Sequence, residues 1–479
     1  MGAEPLQQFT PASGIAAELQ ETLDLQRKAY LAHPVPTLEE RKADLLALAR
    51  FVRENKEAII AAINADYGNR SRHETLFAEI FTVLDGVKHT LKHLKKWMKP
   101  QKRPVGANFL GARNRVIPQP LGVVGVIVPW NFPVNLSLLP LTYIFAAGNR
   151  SMVKMSENSR HLARLMIDRL PTYFPREKLA VFEETGGVGI EFSKLPFDHL
   201  LFTGSSQTGR AVMASAAQNL CPVTLELGGK APAVVCDDYP LRKAAERIFF
   251  VKMFNNGQIC TNVDYLWLPE AKVDEFVALA KEIVPKGYPS IATEDLTSVI
   301  DDRSFKRLND TLDEAIARGA TAVQLIPGPR SDAATRKLAP HLVLNAPDDT
   351  TILQREIFGP LLPVKTYRSL EDVIDYVNAR PRPLALYPFS NDKAKIQMLL
   401  DRIMSGGVSV NDALFHVAQH DLPFGGVGDS GMGHYHGREG FETFSKMRPV
   451  FYQAGFSSVK FLAPPYGKFA TTLLNLLTR

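Results

Sequence analysis

Three side chains in this sequence join reactive chemistry to a context that would use it. Cys260 closes the run Phe254-Asn-Asn-Gly257-Gln258-Ile-Cys260, a glycine turn after a helical segment. A lone cysteine is more often a buried small hydrophobe than a nucleophile. A turn, however, presents the thiol for attack on an electrophilic carbon. Cys221 and Cys236 stand in apolar strand contexts and read as structural. Glu226 lies between Leu225 and Leu227 at a strand end, followed by Gly228-Gly229-Lys230. Burial there raises a carboxyl's pKa and suits it to general base work; pairing with Lys230 is the alternative. Asn131 lies in Pro129-Trp130-Asn131-Phe132-Pro133, where two prolines fix the backbone. Its amide either donates to an oxyanion or caps a helix.

A second group of residues suits phosphates and sugars. Gly204-Ser205-Ser-Gln-Thr-Gly209 follows a strand-like run and opens a helix, where glycine lets the backbone approach a pyrophosphate. Without the Lys-Ser/Thr of a P-loop, that spacing is weak evidence alone. Lys154 and Glu157 end the preceding block's second strand, a position from which Glu binds ribose hydroxyls. His416, His420, His434 and His436 cluster in sequence. The 415–422 stretch reads as loop, and no acidic or cysteine partner completes a zinc set, so no metal is expected.

The elements that must position these groups follow from periodicity. Residues 15 to 100 read as helices, with Ile59, Ile60, Ile63 and Leu76, Phe77, Ile80, Phe81, Leu84 at three- and four-residue steps. Cations between Lys88 and Arg103 read as a solvated helix face, with a phosphate- or membrane-binding stripe as the alternative, and residues 101–120 read as an extended arm. Strands are expected at 122–128, 151–155, 179–183, 199–202 and 222–227, with helices at 136–147, 161–170 and 208–217. Apolar runs between helices indicate a parallel sheet covered on both faces. A second alternating block has strands at 231–236, 263–268, 341–344 and 408–411, and helices at 241–254, 272–283, 305–318 and 370–379. The tail is extended and ends in a short amphipathic helix.

Size and composition set the outer limits. A chain of 479 residues with 45% apolar side chains builds a large core, which excludes disorder and fits two or three domains. A net charge of +6 over this length favours small anions mildly and does not imply nucleic acid. Three cysteines make no disulfide framework and fit a reducing, cytoplasmic setting. Neither a secretory leader nor a myristoylation site is read at the N-terminus. Val116 to Asn149 holds 34 residues without a charge. Pro118, Pro120, Pro129, Pro133 and Pro140 break it, so it reads as a buried strand–loop–helix and not a membrane span.

Together these segments resemble the aldehyde dehydrogenase superfamily from about residue 20 to 455. The most specific pieces are Phe254-x-x-x-Gln258-x-Cys260, Leu225-Glu226-Leu227-Gly-Gly-Lys230 and the 34-residue step from Glu226 to Cys260. Pro-Trp-Asn-Phe-Pro, Phe202-Thr-Gly-Ser205, Glu356-Ile-Phe358-Gly-Pro and Pro423-Phe-Gly-Gly-x-Gly-x-Ser-Gly-x-Gly433 add to them. Met155 stands where the family usually has Pro. The C-terminal glycine-rich run resembles the class 3 and fatty-aldehyde branch. Asp66-Tyr-Gly-Asn-Arg-Ser-Arg-His-Glu-Thr75 and Pro464-Pro-Tyr-Gly are similar to bacterial coniferyl aldehyde dehydrogenases.

The resemblance implies an α/β fold: a Rossmann-like NAD-binding domain (1–101 and 120–227), a second α/β catalytic domain (228–412) and a small β oligomerisation arm with the tail (102–119 and 432–479). It implies Cys260 as nucleophile, Asn131 and the Cys260 N–H at the oxyanion, and Glu226 activating water against a thioester. Glu356 and Phe358 would hold the nicotinamide side, Lys154 and Glu157 the adenine ribose, and Gly204, Ser205 and Gly209 the pyrophosphate of NAD, with NADP as the alternative. Val134, Leu138, Asn411, Phe415 and His416 would wall the aldehyde tunnel. The expected substrate is an aromatic, coniferyl-type aldehyde, with long-chain aliphatic aldehydes as the runner-up, in a homodimer. Glu226 argues against transfer of the acyl group to CoA or phosphate. The joint presence of Cys260, Asn131, Glu226 and Glu356 argues against a non-catalytic member of the fold.

Overall fold

The structure is a computed structural model that describes residues 14–478; the start of the first expected domain, 1–13, lies outside the described residues. Five short apolar runs form parallel strands: Val123–Ile127, Arg150–Lys154, Leu179–Phe182, His199–Gly204 and Val223–Leu227. They lie in the order third, second, first, fourth, fifth, and Gly431–Met432 adds an antiparallel edge beside the fifth. Helices cover both faces, with Tyr143, Ile144 and Phe145 packed in one core and Leu19, Phe192 and Phe202 in the other. The uncharged stretch becomes the first strand, a turn and the Asn135–Ala147 helix, buried on every side from Ser137 onward. No helix of the described residues is long and apolar enough to cross a membrane. Met155 is fully buried in the core below the second strand, and its N–H donates to Phe182 O at 2.9 Å, a bond proline could not make.

The second block is a seven-stranded sheet ordered Thr321–Gln324, His341–Leu344, Leu361–Tyr367, Tyr265–Pro269, Pro232–Val235, Ala385–Phe389, Gly407–Val408. Its neighbours are parallel except at the Thr321–Gln324 edge. Two of its inner strands, 361–367 and 385–389, were not expected. The strand expected over 408–411 is regular only at Gly407–Val408; the N–H groups of Ser409 and Asn411 still donate to Leu386 O at 3.2 Å and Pro388 O at 2.8 Å, and Asn411 turns the chain with a φ of +58°. A third, antiparallel sheet joins Gln101–Arg103, Arg113–Pro120 and Ser445–Tyr452, the expected arm. Residues 431–443 belong physically to the first layer: Gly431 pairs with Glu226, and Gly440 lets the Gly437–Thr443 helix close on Tyr143, where a Cβ would lie 2.9 Å from the ring.

Candidate active site

The first strand runs out into Pro129-Trp130-Asn131 and the fourth into Gly204-Ser205. Between these two strands the connections change direction, and open α/β sheets bind dinucleotides in that crevice. A Cβ on Gly204 would lie 2.6 Å from the Phe202 ring. Ser205 is exposed and caps the Ser206–Ala217 helix, its Oγ accepting from Thr208 N–H at 3.3 Å. Gly209 points the other way: it is buried, and a Cβ would lie 2.6 Å from Leu227. It serves close packing of that helix on the sheet. Lys154 Nζ pairs with Glu184 at 2.6 Å, while Glu157 is exposed on the next turn. Glu184 escaped the sequence reading. Its carboxylate accepts the N–H groups of Gly186, Val188 and Gly189. Burial raises it, but Lys154 and those donors outweigh burial and hold it below the usual carboxylate range.

The Leu241–Met253 helix ends in a turn built from positive φ: +51° at Asn255 and Asn256 and +78° at Gly257. A Cβ on Gly257 would collide with the Gly359 carbonyl, so only glycine fits. Gln258 Nε2 donates to Asn255 O and Ser298 O, both at 3.0 Å, and Asn262 Nδ2 to Gly257 O at 2.7 Å. The buried Asn131 joins the same turn, its Nδ2 donating to Gln258 O at 3.3 Å. Cys260 ends the turn, half-buried. Burial, then Glu356 and Glu226, push its thiol up to about 12.

Glu226 is 2% exposed and neither carboxyl oxygen has a hydrogen-bond partner; burial raises its pKa well above the ordinary value. Lys230 does not compensate it. That ammonium is bonded to Asp264, to Ile352 O at 2.9 Å and to Arg355 O at 3.0 Å. Glu356 reaches over Gly228, where a Cβ would strike its carboxylate. Burial, then Asp264, raise it to about 8. Its Oε1 is buried without a donor, which fits a ligand hydroxyl. Phe358, at φ +49°, stands edge-on to Trp130 at 5.3 Å, joining the ends of the two large sheets.

An aromatic apron extends outward from this point. Phe254 and Ile259 pack with Ala78, Phe132 and Leu414, one residue away from both Asn131 and Cys260. Phe254 stacks on Phe132 at 6.3 Å and on Phe250 at 6.0 Å, and meets Phe77 edge-on at 6.0 Å. Phe250 in turn stacks on Phe415 at 6.0 Å, and Phe77 on Phe81 at 6.2 Å. Phe77 and Phe250 are 41% and 51% exposed. A groove of about 610 Å³ borders their outer side, lined also by Phe249, Met253 and Tyr288.

Of the five expected wall residues, Phe415 joins the apron. Val134 and Leu138 do not, being 1% and 0% exposed and packed in the core. Asn411 is half-buried, with its side chain on Ser390, accepting from N–H at 2.8 Å and donating to the carbonyl at 2.9 Å. His416 is hydrogen-bonded to Ser409 Oγ at 2.9 Å, and burial lowers its pKa to about 4. It is a neutral ring beside Tyr387. His420 meanwhile faces Asp85 at 3.2 Å.

Comparison with known proteins decides the family. The aldehyde dehydrogenase family model matches residues 8–450. The chain belongs to that family. This aldehyde dehydrogenase is 51% identical to a probable coniferyl aldehyde dehydrogenase of Pseudomonas aeruginosa, over 96% of each chain. It is 45% identical to a coniferyl aldehyde dehydrogenase of Pseudomonas sp. strain HR199, again over 96% of each. A rat relative, described as dimeric and NADP-preferring, is 36% identical over 90% of this chain and 94% of its own. The substrate-bound state of Staphylococcus aureus AldH superposes with a TM-score of 0.90 at 31% identity, covering 96% of this chain and 99% of that one. A Mycobacterium tuberculosis aldehyde dehydrogenase complexed with NAD+ superposes at 0.82 with 27% identity, over 92% and 91%. The family uses NAD or NADP, and the crevice with its orphaned Glu356 oxygen fits a dinucleotide.

Proposed function

We propose that this aldehyde dehydrogenase oxidises an aromatic, coniferyl-type aldehyde to its acid through covalent addition to Cys260. One observation carries the reading: the Asn131 amide is bonded into the turn that ends in Cys260. The thiol releases its proton to solvent, and the Sγ thiolate bonds to the aldehyde carbon. The second Asn131 amide hydrogen and the Cys260 N–H receive the oxyanion. When bound, the dinucleotide supplies the acceptor for the hydride that leaves that carbon. Glu226 then takes a proton from water, whose oxygen displaces the thiol from the resulting thioester.

Glu356 and Phe358 would hold the nicotinamide end, Gly204 and Ser205 the pyrophosphate, and Lys154 and Glu157 the adenine ribose. The carboxylate of Glu157 disfavours a 2′-phosphate, so NAD is the preferred form. The chain divides functionally as its sheets do, into a dinucleotide-binding part, a thiol-bearing part and an arm. The arm carries exposed Phe109, Leu110 and Phe451, which supports dimerisation through it; the mass in solution tests that. Three free cysteines suit a reducing cytoplasm.

The phenylalanine apron and the names of the Pseudomonas relatives support the aromatic substrate. An apolar pocket discriminates by about 1–3 kcal/mol per methylene-sized mismatch, so the preference is graded. Measuring kcat/KM for acetaldehyde, hexanal, decanal and coniferyl aldehyde tests it, with coniferyl aldehyde expected highest. Acetaldehyde matching it would overturn the aromatic assignment, and decanal exceeding it would favour the long-chain one.

A further inference from the structure

Within the segment Asp66 to Thr75, Tyr67 and Arg70 reach the proposed oxyanion donor through its backbone carbonyl. The backbone carbonyl of Asn131 accepts three hydrogen bonds: from Tyr67 Oη at 3.1 Å, Arg70 Nη1 at 3.1 Å and Asn255 Nδ2 at 3.2 Å. Asn255 Nδ2 also donates to Tyr67 Oη at 3.3 Å and to Gln258 O at 3.1 Å, so the clamp and the cysteine turn are one network. Arg70 is 3% exposed. Its guanidinium lies between two rings, 4.9 Å from the Tyr67 centroid and 5.1 Å from that of Phe132.

Its Nε stands 3.7 Å from Glu74, and that carboxylate accepts from Asn255 N–H at 2.8 Å and Thr297 Oγ1 at 2.6 Å. Nε and Nη2 of Arg70 have no hydrogen-bond partner. Burying a cation with unfilled donors is costly, and ordinary packing does not require it. Besides facing the buried Glu74 carboxylate, the guanidinium holds one carbonyl. Fixing that carbonyl fixes the rotation of the 131–132 peptide, and with it the direction of the Asn131 Cα–Cβ bond. Downstream, Glu79 accepts the N–H groups of Val134 and Asn135 at 2.9 and 2.7 Å, fastening the other end of the same turn.

We propose that Arg70, assisted by Tyr67, is the positioning residue of the oxyanion site, acting on the transition state only through the direction it gives the Asn131 amide. The inference rests on the reading of Asn131 as an oxyanion donor. A displacement of about 1 Å at such a donor is enough to cost on the order of 10²-fold in rate.

A double-mutant cycle tests it, using Arg70→Met, Asn131→Ala and the pair, with steady-state and burst kinetics and a thermal melt of each. Arg70→Met is expected to lower kcat by about 10- to 100-fold and leave the dinucleotide KM within about twofold. Arg70→Lys, which keeps one donor, recovers part of the loss. In the Asn131→Ala background, Arg70→Met is expected to change kcat by less than about threefold, because the two act as a unit. Equal losses in both backgrounds, or no loss in either, overturn the inference while leaving Asn131 in place. An Asn131→Ala enzyme with unchanged kcat overturns the oxyanion reading and this inference with it. Should Arg70→Met fail to fold, Tyr67→Phe removes a single hydroxyl donor. A several-fold kcat loss that vanishes in the Asn131→Ala background supports the clamp, and a loss that persists there refutes it.

Discussion

Burial, then Glu356 and Glu226, push the Cys260 thiol up to about 12, so the proposed attack must begin with removal of that proton. Cys260→Ala is expected to abolish oxidation and preserve dinucleotide binding, which equilibrium dialysis and a turnover assay check together. Glu226→Gln keeps the shape and cannot take a proton. A burst of about one reduced dinucleotide per site followed by slow turnover is expected, whereas a mutant with neither burst nor turnover would make Glu226 the base for the thiol instead. The sequence singles out Cys260, Glu226 and Asn131 through their immediate neighbours, a glycine turn, flanking leucines and bracketing prolines, and the structure bonds Asn131 into the turn that ends in Cys260. Val134 and Leu138 were misplaced because helical spacing gives the face of a helix and not its depth, and the Asn135–Ala147 helix is buried all round. The bond of Asn411 to Ser390 was not legible because that partner is 21 residues away in sequence. Glu184 stood before a glycine pair, Gly186-Gly187, which could have flagged it.

Close approach of the Ser206–Ala217 helix to the fifth strand depends on Gly209, where a side chain would press on Leu227. Gly209→Val is expected to cost about 1–3 kcal/mol of stability, the usual range for overpacking. By tilting Ser205 away it is also expected to raise the dinucleotide KM more than it lowers kcat; steady-state kinetics and a denaturant melt separate the two effects. The parallel core of the first sheet was readable from its runs of valine and leucine. The strands Leu361–Tyr367 and Ala385–Phe389 were not, because each contains a proline, Pro363 and Pro388, which argues against an inner strand. Both are nonetheless internal to the seven-stranded sheet. The π-helical turn Leu76–Phe81 was equally hidden, since its apolar spacing fits an ordinary helix.

Across the whole molecule, burial sets two opposing dependences of stability on pH. Folding raises Glu79 to about 7 and Glu356 to about 8, chiefly by burial, so the folded state keeps protons that the unfolded chain has released. Their contribution is fully present below the ordinary carboxylate pKa and is lost as pH rises through 7 and 8. Burial lowers His416 and His199 to about 4 and His436 to about 3. Their contribution is present above the ordinary value of 6.5 and lost as pH falls through 4 and 3. The melting temperature of the dinucleotide-free enzyme is therefore expected to decline from pH 6.5 to 8.5, and Glu79→Gln to flatten that decline. The pairing of Gly431 with Glu226 also has a bearing on how the chain is made. The strand that carries Glu226 cannot complete its outer edge until a piece synthesised some two hundred residues later arrives. Until then a growing polypeptide holds an apolar strand with unmet backbone groups, the kind of edge that recruits other chains. A fragment released before residue 431 is thus expected to aggregate, while the finished enzyme, with its edge covered, stays dispersed.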